Sequence, residues 1–419
     1  MAASIIAKPT DLFTVADQHL IYQVESSVTI TDSFRFVLAV YDGSVSVANL
    51  LGKFYLTANP QDYAYFNLSE VVRGLCEVDD RSYQETTAIH AYKANYMTRS
   101  NGNIRKFVVG AGEWNGTTET LNDDTETIQL IDGHFQTSQG LNPSFTDFYG
   151  TASTKTFWLT DRQAISDVIT IDAANEDEGV VAFLNRSTIS DVGKFLLTIY
   201  NAAGVVLSAS TIDVNSTNGA QLPTASSPTN GFLVYFGVYP ANLDGHSSLL
   251  TNNPTWSYYT LTPQATTGAV QEGNVLQINN RCTPAKNESV QIGWANTIGG
   301  WDYLRFNGRK LKTISREEKT YRKQIGDYNS NSFSFTPFDR EITPYQVEAK
   351  ETYQLNGILT SEEYDLFQYC FRSKNIMARI DGTWLPVSLK ESSLQVESDT
   401  TSKVYIATIN VELAQIIRC

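Results

Sequence analysis

The chain has 419 residues, of which 42% are apolar and 18% charged, and its formal net charge is −14. This length predicts two or three domains, and the apolar content excludes a chain that is disordered throughout. The negative charge disfavours general binding to nucleic acids or anionic membranes, because both are polyanionic. No stretch approaches the apolar length of a membrane-spanning helix, and residues 1–8 lack the basic and apolar regions of a secretory signal.

The composition favours strands over helices. The chain contains 22 Tyr and 20 Phe but only 3 Met, and aromatic residues are enriched in β-sheets. We therefore predict a mainly β fold. Residues 1–115 contain short alternating segments. In residues 33–41 every second side chain is a large apolar one, and Asp42-Gly43 follows as a hairpin turn. We interpret residues 1–115 as a β-sandwich domain.

A second β-sandwich-like domain is predicted for residues 116–275. Its segment Lys194–Asn201 matches Arg35–Asp42 residue class for residue class, and each segment is followed by a small-residue turn and a valine-rich stretch. This match favours an internal duplication of the first domain. The alternative is an accidental match, because any two strands look alike over so short a length.

Residues 276–419 form the third predicted domain, which is also rich in strand patterns. The dipeptide Asn307-Gly308 predicts a hairpin turn. Residues 404–413 alternate cleanly between apolar and polar side chains, so they predict a long last strand.

One helix is predicted from local signals in this third domain. Thr360 and Glu363 have the spacing of a capping box, and the apolar residues that follow lie on one helical face. We therefore predict a helix over residues 360–373. The dipeptide Asp381-Gly382 then predicts a second hairpin turn.

Basic residues are concentrated at the start of the third domain, in a chain that is acidic overall. Such a cluster can be a solvated surface or a phosphate site. We favour a subunit interface, because an acidic copy of the same chain would meet it with complementary charge. The candidate interface residues, which we call the basic stripe, are Arg305, Arg309, Lys310, Lys312, Arg316, Arg322 and Lys323.

The sequence contains no motif of a nucleotide-binding loop, a GxSxG nucleophile elbow, an HExxH zinc helix or an EF-hand. Its four histidines and four cysteines lack the spacing of metal ligands, so we expect no metal and no cofactor. Acidic runs such as Glu176-Asp177-Glu178 could supply the carboxylates of a glycoside hydrolase, but such runs are usually solvated turns. We therefore expect no enzyme, and a β-fold glycoside hydrolase is the least favoured hypothesis.

Two of the six tryptophans, Trp114 and Trp256, follow turn residues and are expected to be exposed. Exposed aromatic rings stack on the faces of sugars, so these two residues are candidate glycan contacts. The alternative is burial, because large aromatic side chains usually belong to a core.

The order of elements over residues 351–413 resembles the tail-tube and distal-tail proteins of long-tailed bacteriophages. The shared elements are a strand, a capped helix, a hairpin at Asp381-Gly382 and a long final strand. The resemblance implies a small β-barrel or sandwich with one flanking helix that assembles into rings, usually hexamers, around a DNA channel. It also implies that the helix and the Asp381-Gly382 hairpin contribute to ring contacts and to the channel wall.

Three further segments, Phe157–Thr160, Gly299–Tyr303 and Asn375–Gly382, are similar to virion proteins of phages of Bacteroidota-type hosts. Simple tube proteins lack a large N-terminal region like the one that precedes residue 276, so the resemblance favours a baseplate or distal-tail role. An acidic subunit also suits a DNA channel, because contacts to phosphate would slow the passage of DNA.

The resemblance and the composition together lead us to expect a structural virion protein that forms a homo-oligomeric ring at the tail tip. Its expected partners are copies of itself, most often six in a ring, and other tail or baseplate proteins. DNA would pass without specific binding, and no membrane is involved. Such a protein would be made in the host cytoplasm and would reside in the virion. The alternative function is a receptor- or glycan-binding module of the tail, with a host surface glycan as partner.

Overall fold

The structure is a computed structural model that is mainly β, as predicted. It divides into two compact units: unit 1 comprises residues 1–283 and 294–302, and unit 2 comprises residues 284–293 and 303–419. The described residues are 3–9, 13–27, 31–80, 88–100, 103–133, 148, 157–185, 192–214, 232–265, 268–281, 289–329, 331–338, 340–390, 397–399, 404–414 and 417–418.

Unit 1 begins with a β-sandwich in which a three-stranded and a five-stranded sheet share one core. Its elements, with a short strand β7 inserted before β8, are β1 (Ser4–Ala7), β2 (Phe13–Val15), β3 (Ile21–Glu25), β4 (Arg35–Asp42), β5 (Leu50–Leu56), β6 (Tyr63–Asn67), α1 (Ser69–Val72), β7 (Met97–Arg99), β8 (Ile104–Trp114) and β9 (Glu119–Ile131). The sheets have the orders β1-β3-β6 and β2-β9-β8-β4-β5. Short 3-10 helices lie at Val47–Asn49, Arg73–Leu75 and Ile89–Ala91.

A second sandwich follows in unit 1. Its elements are β10 (Trp158–Leu159), β11 (Val168–Ala173), β12 (Val181–Asn185), β13 (Val192–Asn201), β14 (Val206–Asp213), β15 (Phe232–Phe236), α2 (Pro240–Ser247), β16 (Trp256–Ala265) and β17 (Val275–Asn280). Its sheets have the orders β10-β12-β15-β7 and β11-β17-β16-β13-β14.

The two sandwiches have the same strand order. The order β2-β9-β8-β4-β5 in the first corresponds strand by strand to β11-β17-β16-β13-β14 in the second. Each of these sheets begins with a parallel pair, β2 with β9 and β11 with β17, and continues with antiparallel pairs. A helix follows the last strand of the smaller sheet in both, α1 after β6 and α2 after β15. This shared order supports the internal duplication that the match between β4 and β13 predicts.

The two sandwiches nevertheless belong to one unit. The boundary predicted at residue 115 lies in the turn between β8 and β9, and these strands pair along most of their length, from Ile104 opposite Ile131 to Trp114 opposite Glu119. Strand β7 precedes β8 in the chain, yet it pairs with β15 of the second sandwich. A boundary at residue 115 therefore separates no independent units.

The core of the first sandwich follows from strand alternation. Phe36, Leu38 and Val40 lie on one face of β4 and pack in a single cluster with Tyr22 and Phe66 from the smaller sheet. All five side chains are buried. Burying large side chains of this kind stabilises a fold by about 1.5–3 kcal/mol each, so this cluster holds the two sheets together.

The core of the second sandwich is aromatic. The ring of Phe195, on β13, lies with its centroid 5.1 Å from that of Phe236, 5.3 Å from that of Trp158 and 5.4 Å from that of Phe183. The ring of Phe157 lies 5.9 Å away. All five residues are buried. Phe195 is therefore the centre of this core.

The remaining elements are β18 to β28 and the helix α3. Strands β21 and β22 form a two-stranded sheet of their own, and the other nine strands form one long sheet. Their bounds are β18 (Val290–Ala295), β19 (Trp301–Phe306), β20 (Lys310–Arg322), β21 (Asp327–Asn329), β22 (Ser332–Ser334), β23 (Ile342–Leu359), α3 (Ser361–Cys370), β24 (Ile376–Ile380), β25 (Thr383–Leu389), β26 (Glu397–Asp399), β27 (Val404–Leu413) and β28 (Ile417–Arg418). The sheet order is β19-β18-β24-β25-β27-β23-β20. In the part of the chain that the structure describes, the sheet is open and does not close into a barrel.

The turn at Asn307-Gly308 differs from its prediction. It joins β19 to β20, which lie at opposite ends of the sheet order, so it is not a hairpin turn. The N–H of Gly308 instead donates to the carbonyl of Asn356 on β23, at 2.8 Å. The prediction was wrong because a favourable turn dipeptide fixes a change of direction but not the partners of the strands on either side.

The local predictions for the helix and the second hairpin are confirmed. The Glu363 N–H donates to the Thr360 hydroxyl at 3.2 Å, and the Thr360 N–H donates to the Glu363 carboxylate at 2.9 Å. Both bonds of the capping box are thus present, although α3 ends at Cys370 and not at residue 373. Asp381 and Gly382 both have positive φ and join β24 to β25 as a hairpin.

Candidate functional site

Most of the basic stripe lies on β20 or beside it, in unit 2. Arg305 is the exception, because it lies in β19 and is only 7% exposed. Every residue of β19 is buried, so strand alternation does not bring this side chain to the surface. The prediction of Arg305 as an exposed interface residue was therefore wrong. The other six side chains are exposed or half-buried.

The charges of the stripe are largely compensated within unit 2. The structure brings two predicted interface residues together, because Lys310 forms an ion pair with Asp381 at 3.1 Å. The other pairs are Lys312 with Glu351, Arg316 with Glu318, and Arg322 with Glu341. Exposed pairs of this kind contribute little to stability, but they reduce the positive charge that a neighbouring subunit would meet.

Lys312 combines its ion pair with a contact to an aromatic ring. Its ammonium lies 2.8 Å from the Glu351 carboxylate and 5.5 Å from the centre of the Tyr353 ring. The hydrogen bond between the Lys312 ammonium and the Glu351 carboxylate raises the pKa of Lys312 and lowers the pKa of Glu351. Both groups therefore stay charged at neutral pH, and they fix the side chains at the base of the β20–β23 pair.

A two-stranded extension of the sheet is the most distinctive feature of unit 2. We define the arm as residues 318–347, which comprise the end of β20, the β21–β22 hairpin and the start of β23. Here β20 and β23 pair with each other, whereas β27 joins β23 only from Thr352 onwards and β28 only at Glu348 and Ala349. In the arm, residues 318–322 of β20 pair with residues 342–347 of β23. At about 3.3 Å per residue, this pairing extends the sheet by about 16 Å.

The arm has no core of its own. From Leu311 to Arg322, every residue of β20 is exposed, so neither face of this strand is covered. A two-stranded ribbon in water is at best marginally stable, because it lacks a hydrophobic face packed on another layer. The arm is therefore a strand pair whose side chains are largely exposed to solvent.

Large apolar side chains are concentrated on this arm. Every exposed phenylalanine in the described part of the chain lies here, and Phe338 is 92% and Phe335 61% exposed. Contiguous exposed apolar side chains mark interaction sites, and aromatic residues are enriched in the cores of protein interfaces. The seven exposed large side chains of the arm are Tyr321, Tyr328, Phe333, Phe335, Phe338, Ile342 and Tyr345.

A concave space of about 370 Å³ lies at the end of the arm. Ile325 and Phe335 form part of its apolar wall, and Lys323 and Arg340 lie at its edge. Gly326, with φ of +80°, makes the turn that leads into β21, and a side chain there would collide with the ring of Phe333. Asp327 also lines this space, so it presents both signs of charge beside its apolar side chains.

The arm was not predicted as a site, although part of its signal is in the sequence. The segment from Phe333 to Phe338 places three phenylalanines among serine, threonine and proline. Phe333 and Phe335 alternate with polar residues, which predicts a strand with one buried face. The sequence therefore shows the aromatic residues but does not indicate that they are exposed.

The structure contradicts one of the two candidate glycan contacts, Trp256, and does not test the other, Trp114. Trp256 is the first residue of β16 and is only 5% exposed, with its ring 5.4 Å from that of Tyr259. Its predicted exposure was wrong, because the strand that follows the turn at residues 253–254 enters the core at once. Trp114 is half-buried at the end of β8, opposite Glu119.

The acidic run considered for glycoside hydrolysis has structural partners. The Asp177 carboxylate accepts a hydrogen bond from the Ala174 N–H at 2.8 Å, within a tight turn. The Glu178 carboxylate pairs with Lys93 at 2.7 Å. Asp177 and Glu178 are both buried, and their contacts account for this burial without a substrate.

Two of the segments on which the resemblance rests meet in unit 1. The Asp302 carboxylate accepts hydrogen bonds from the Thr160 hydroxyl, from the Asp161 N–H at 2.8 Å and from the Asn296 amide at 3.2 Å. Burial raises the pKa of Asp302, and these donors oppose that shift. The network is fully enclosed, so it holds the 294–302 segment in place and offers no access to a ligand.

No family model matches the chain, and no curated protein matches it. Within the described residues, no group of histidine, cysteine, aspartate and glutamate side chains is arranged to hold a metal ion. None of the helices in the described part has the length and apolar character that spanning a membrane requires. The arm is therefore the feature of the described surface on which a function can best be argued.

Proposed function

We propose that this protein is a structural subunit that assembles with copies of itself, and that the arm is the element that docks on the neighbouring copy. One observation carries the proposal. A strand of 13 residues, β20, extends from the sheet with nearly every side chain exposed, and seven large apolar side chains follow on the arm. An isolated chain gains nothing from this exposure, whereas a neighbouring subunit would bury it.

The energetics of docking are of the right order. Burying one such ring completely contributes about 1.5–3 kcal/mol, so several rings together offset the roughly 4–15 kcal/mol that association costs in lost freedom. The outer edge of β20 also offers backbone groups to an added strand. The ion-paired stripe then contributes more to orientation than to affinity.

The resemblance of residues 351–413 to tail-tube and distal-tail proteins supplies the biological setting of the proposal. The assembly would be a ring, most often of six subunits, at the tail tip or baseplate of a tailed phage virion. Other tail proteins would be its neighbours, and DNA would pass through without specific binding. A docking arm fits such a ring, because a head-to-tail contact between identical subunits closes into a ring when its rotation permits.

The proposal is tested by replacing Phe335 and Phe338 together with serine. The wild-type chain is expected to form symmetric oligomers, and the double variant is expected to remain a monomer. Light scattering coupled to size-exclusion chromatography measures the mass, and negative-stain images show whether rings are closed.

The matched control for this experiment is Tyr65→Ser, which removes an exposed ring from β6 of unit 1 and should leave assembly unchanged. A wild-type chain that stays monomeric at high concentration would contradict homo-assembly. Rings that persist in the double variant would show that the arm is not the contact.

A further inference from the structure

The two sandwiches of unit 1 differ on one face of their larger sheets. On β4 of the first sandwich, the outward side chains Val37, Ala39 and Tyr41 are buried. The corresponding residues on β13 of the second are Leu196, Thr198 and Tyr200, of which Tyr200 is half-exposed. The same sheet face is thus sealed in the first sandwich and partly open to solvent in the second, where Thr198 is buried but Tyr200 is not.

The open face carries a row of polar and aromatic side chains that crosses four strands. Asp172, Asn279, Tyr258 and Tyr200 are direct cross-strand neighbours on β11, β17, β16 and β13. The rings of Tyr200 and Tyr258 are stacked, with centroids 4.6 Å apart and planes 11° apart. The Asn279 amide donates to the Asp172 carboxylate at 3.0 Å. The side chains of the row are therefore held in place before any ligand arrives.

A second polar row lies beside the first on the same strands. The Gln277 amide donates to the Asn279 oxygen at 2.8 Å, which links the two rows. Its cross-strand neighbours are Thr170, Thr260 and Thr198. With neighbouring strands about 4.8 Å apart, the two rows form an extended platform of hydroxyl, amide and carboxylate groups with a tyrosine pair at one side.

We propose that this platform binds a neutral polysaccharide. The outer face of the tyrosine pair offers a flat apolar surface for the C–H face of a sugar ring. The amides of Gln277 and Asn279 can both donate and accept, and the Asp172 carboxylate accepts, so together they match sugar hydroxyls, which do both. This function is independent of the arm, because the platform lies in unit 1.

The chemistry of the platform disfavours other occupants. Asp172 is the one charged group in the two rows, so phosphorylated or sulfated polymers would meet repulsion and no cation. The one exposed aliphatic side chain that continues the first row is Val206, the neighbour of Tyr200 on β14, whereas a protein interface core would require a cluster of such side chains. A neutral, hydroxyl-rich polymer fits the remaining chemistry.

The test is affinity gel electrophoresis of the full chain through gels that contain dextran, mannan or xylan. At least one polymer should retard the wild-type protein, and Tyr258→Ala and Asn279→Ala should each weaken this retardation at least tenfold. Tyr65→Ala, an exposed tyrosine on the first sandwich, should behave like wild type. The Phe335→Ser/Phe338→Ser variant should also retain binding, which separates this proposal from that of assembly through the arm.

Three outcomes would overturn the polysaccharide proposal. The first is that none of the three polymers retards the wild-type chain. The second is that the variants bind as wild type does while their melting temperatures show that they are folded. The third is that Tyr258→Ala alters oligomeric mass and not gel mobility, which would make the platform a subunit contact. If Tyr258→Ala fails to fold, the gel mobility of Asn279→Ala alone tests whether the platform binds polysaccharide. The Asn279 side chain is half-exposed and dispensable for the core, so this variant should fold.

Discussion

Replacing Phe195 by alanine is expected to destabilise unit 1 by about 3–5 kcal/mol, the cost of removing a fully buried phenylalanine. The ring lies within 6 Å of four other aromatic rings, of which Phe236 is the nearest at 5.1 Å. Its loss would leave a cavity that the rigid neighbours cannot fill. Urea denaturation followed by tryptophan fluorescence measures the change, because five of the six tryptophans lie in unit 1.

The matched control is the same substitution on the arm. Phe335→Ala removes an identical side chain that is 61% exposed, so the free energy of unfolding should change by no more than about 0.5 kcal/mol. Similar losses in the two variants would mean that the arm is part of a folded core. A large loss for Phe195→Ala alone would show that the arm aromatics are not retained for the stability of the isolated chain.

Acidification from pH 7.5 to pH 4.5 is expected to cost unit 1 about 3 kcal/mol through His90 alone. Burial lowers the pKa of His90 from 6.5 to about 3. Between these values the unfolded chain binds a proton that the folded chain does not, so stability falls as the pH falls. The buried ring packs edge-on against Trp301, with centroids 4.5 Å apart, and a charge there would be desolvated.

The effect is measured by comparing urea midpoints of wild type and His90→Phe at the two pH values. Phenylalanine keeps an aromatic ring beside Trp301 but cannot titrate, so the variant should lose about 3 kcal/mol less than wild type over the interval. His19→Gln changes an exposed histidine and should lose as much as wild type does. Equal losses in wild type and His90→Phe would refute the role of His90.

Features that depend on a few neighbouring residues were predictable from the sequence. The capping box of Thr360 and Glu363 needs only four residues, and both of its hydrogen bonds form. The turn at Asp381-Gly382 is equally local, since it requires two residues that tolerate positive φ. The similarity of β4 and β13 was visible because each strand places a large apolar side chain at every second residue of the face that packs on its core.

Features that depend on distant pairing were not predictable. The turn at residues 115–118 has the composition of a linker, but the strands on either side pair with each other. Nothing near Met97–Arg99 indicates that this strand joins a sheet more than a hundred residues away. Trp256 follows a correctly recognised turn, and its burial depends on Tyr259 and on the core of the second sandwich.

The candidate site shows the same limit. The cations of the basic stripe are evident in the sequence, but their carboxylate partners lie on other strands; Glu351, for example, pairs with Lys312 across the β20–β23 ladder. The rings of Phe335 and Phe338 resemble core residues in composition. Only the pairing of β20 and β23 beyond the rest of the sheet reveals that no second layer covers them.

The charged side chains of β20 also affect what happens to a subunit before it meets its neighbour. A long edge strand with exposed backbone groups invites pairing with any unrelated strand, and lysine or arginine along such an edge discourages it. Arg316, Glu317, Glu318 and Lys319 stand in succession at the root of the arm. Their hydration disfavours unselective strand pairing at this edge, so under the proposed assembly the edge is left to the neighbouring copy.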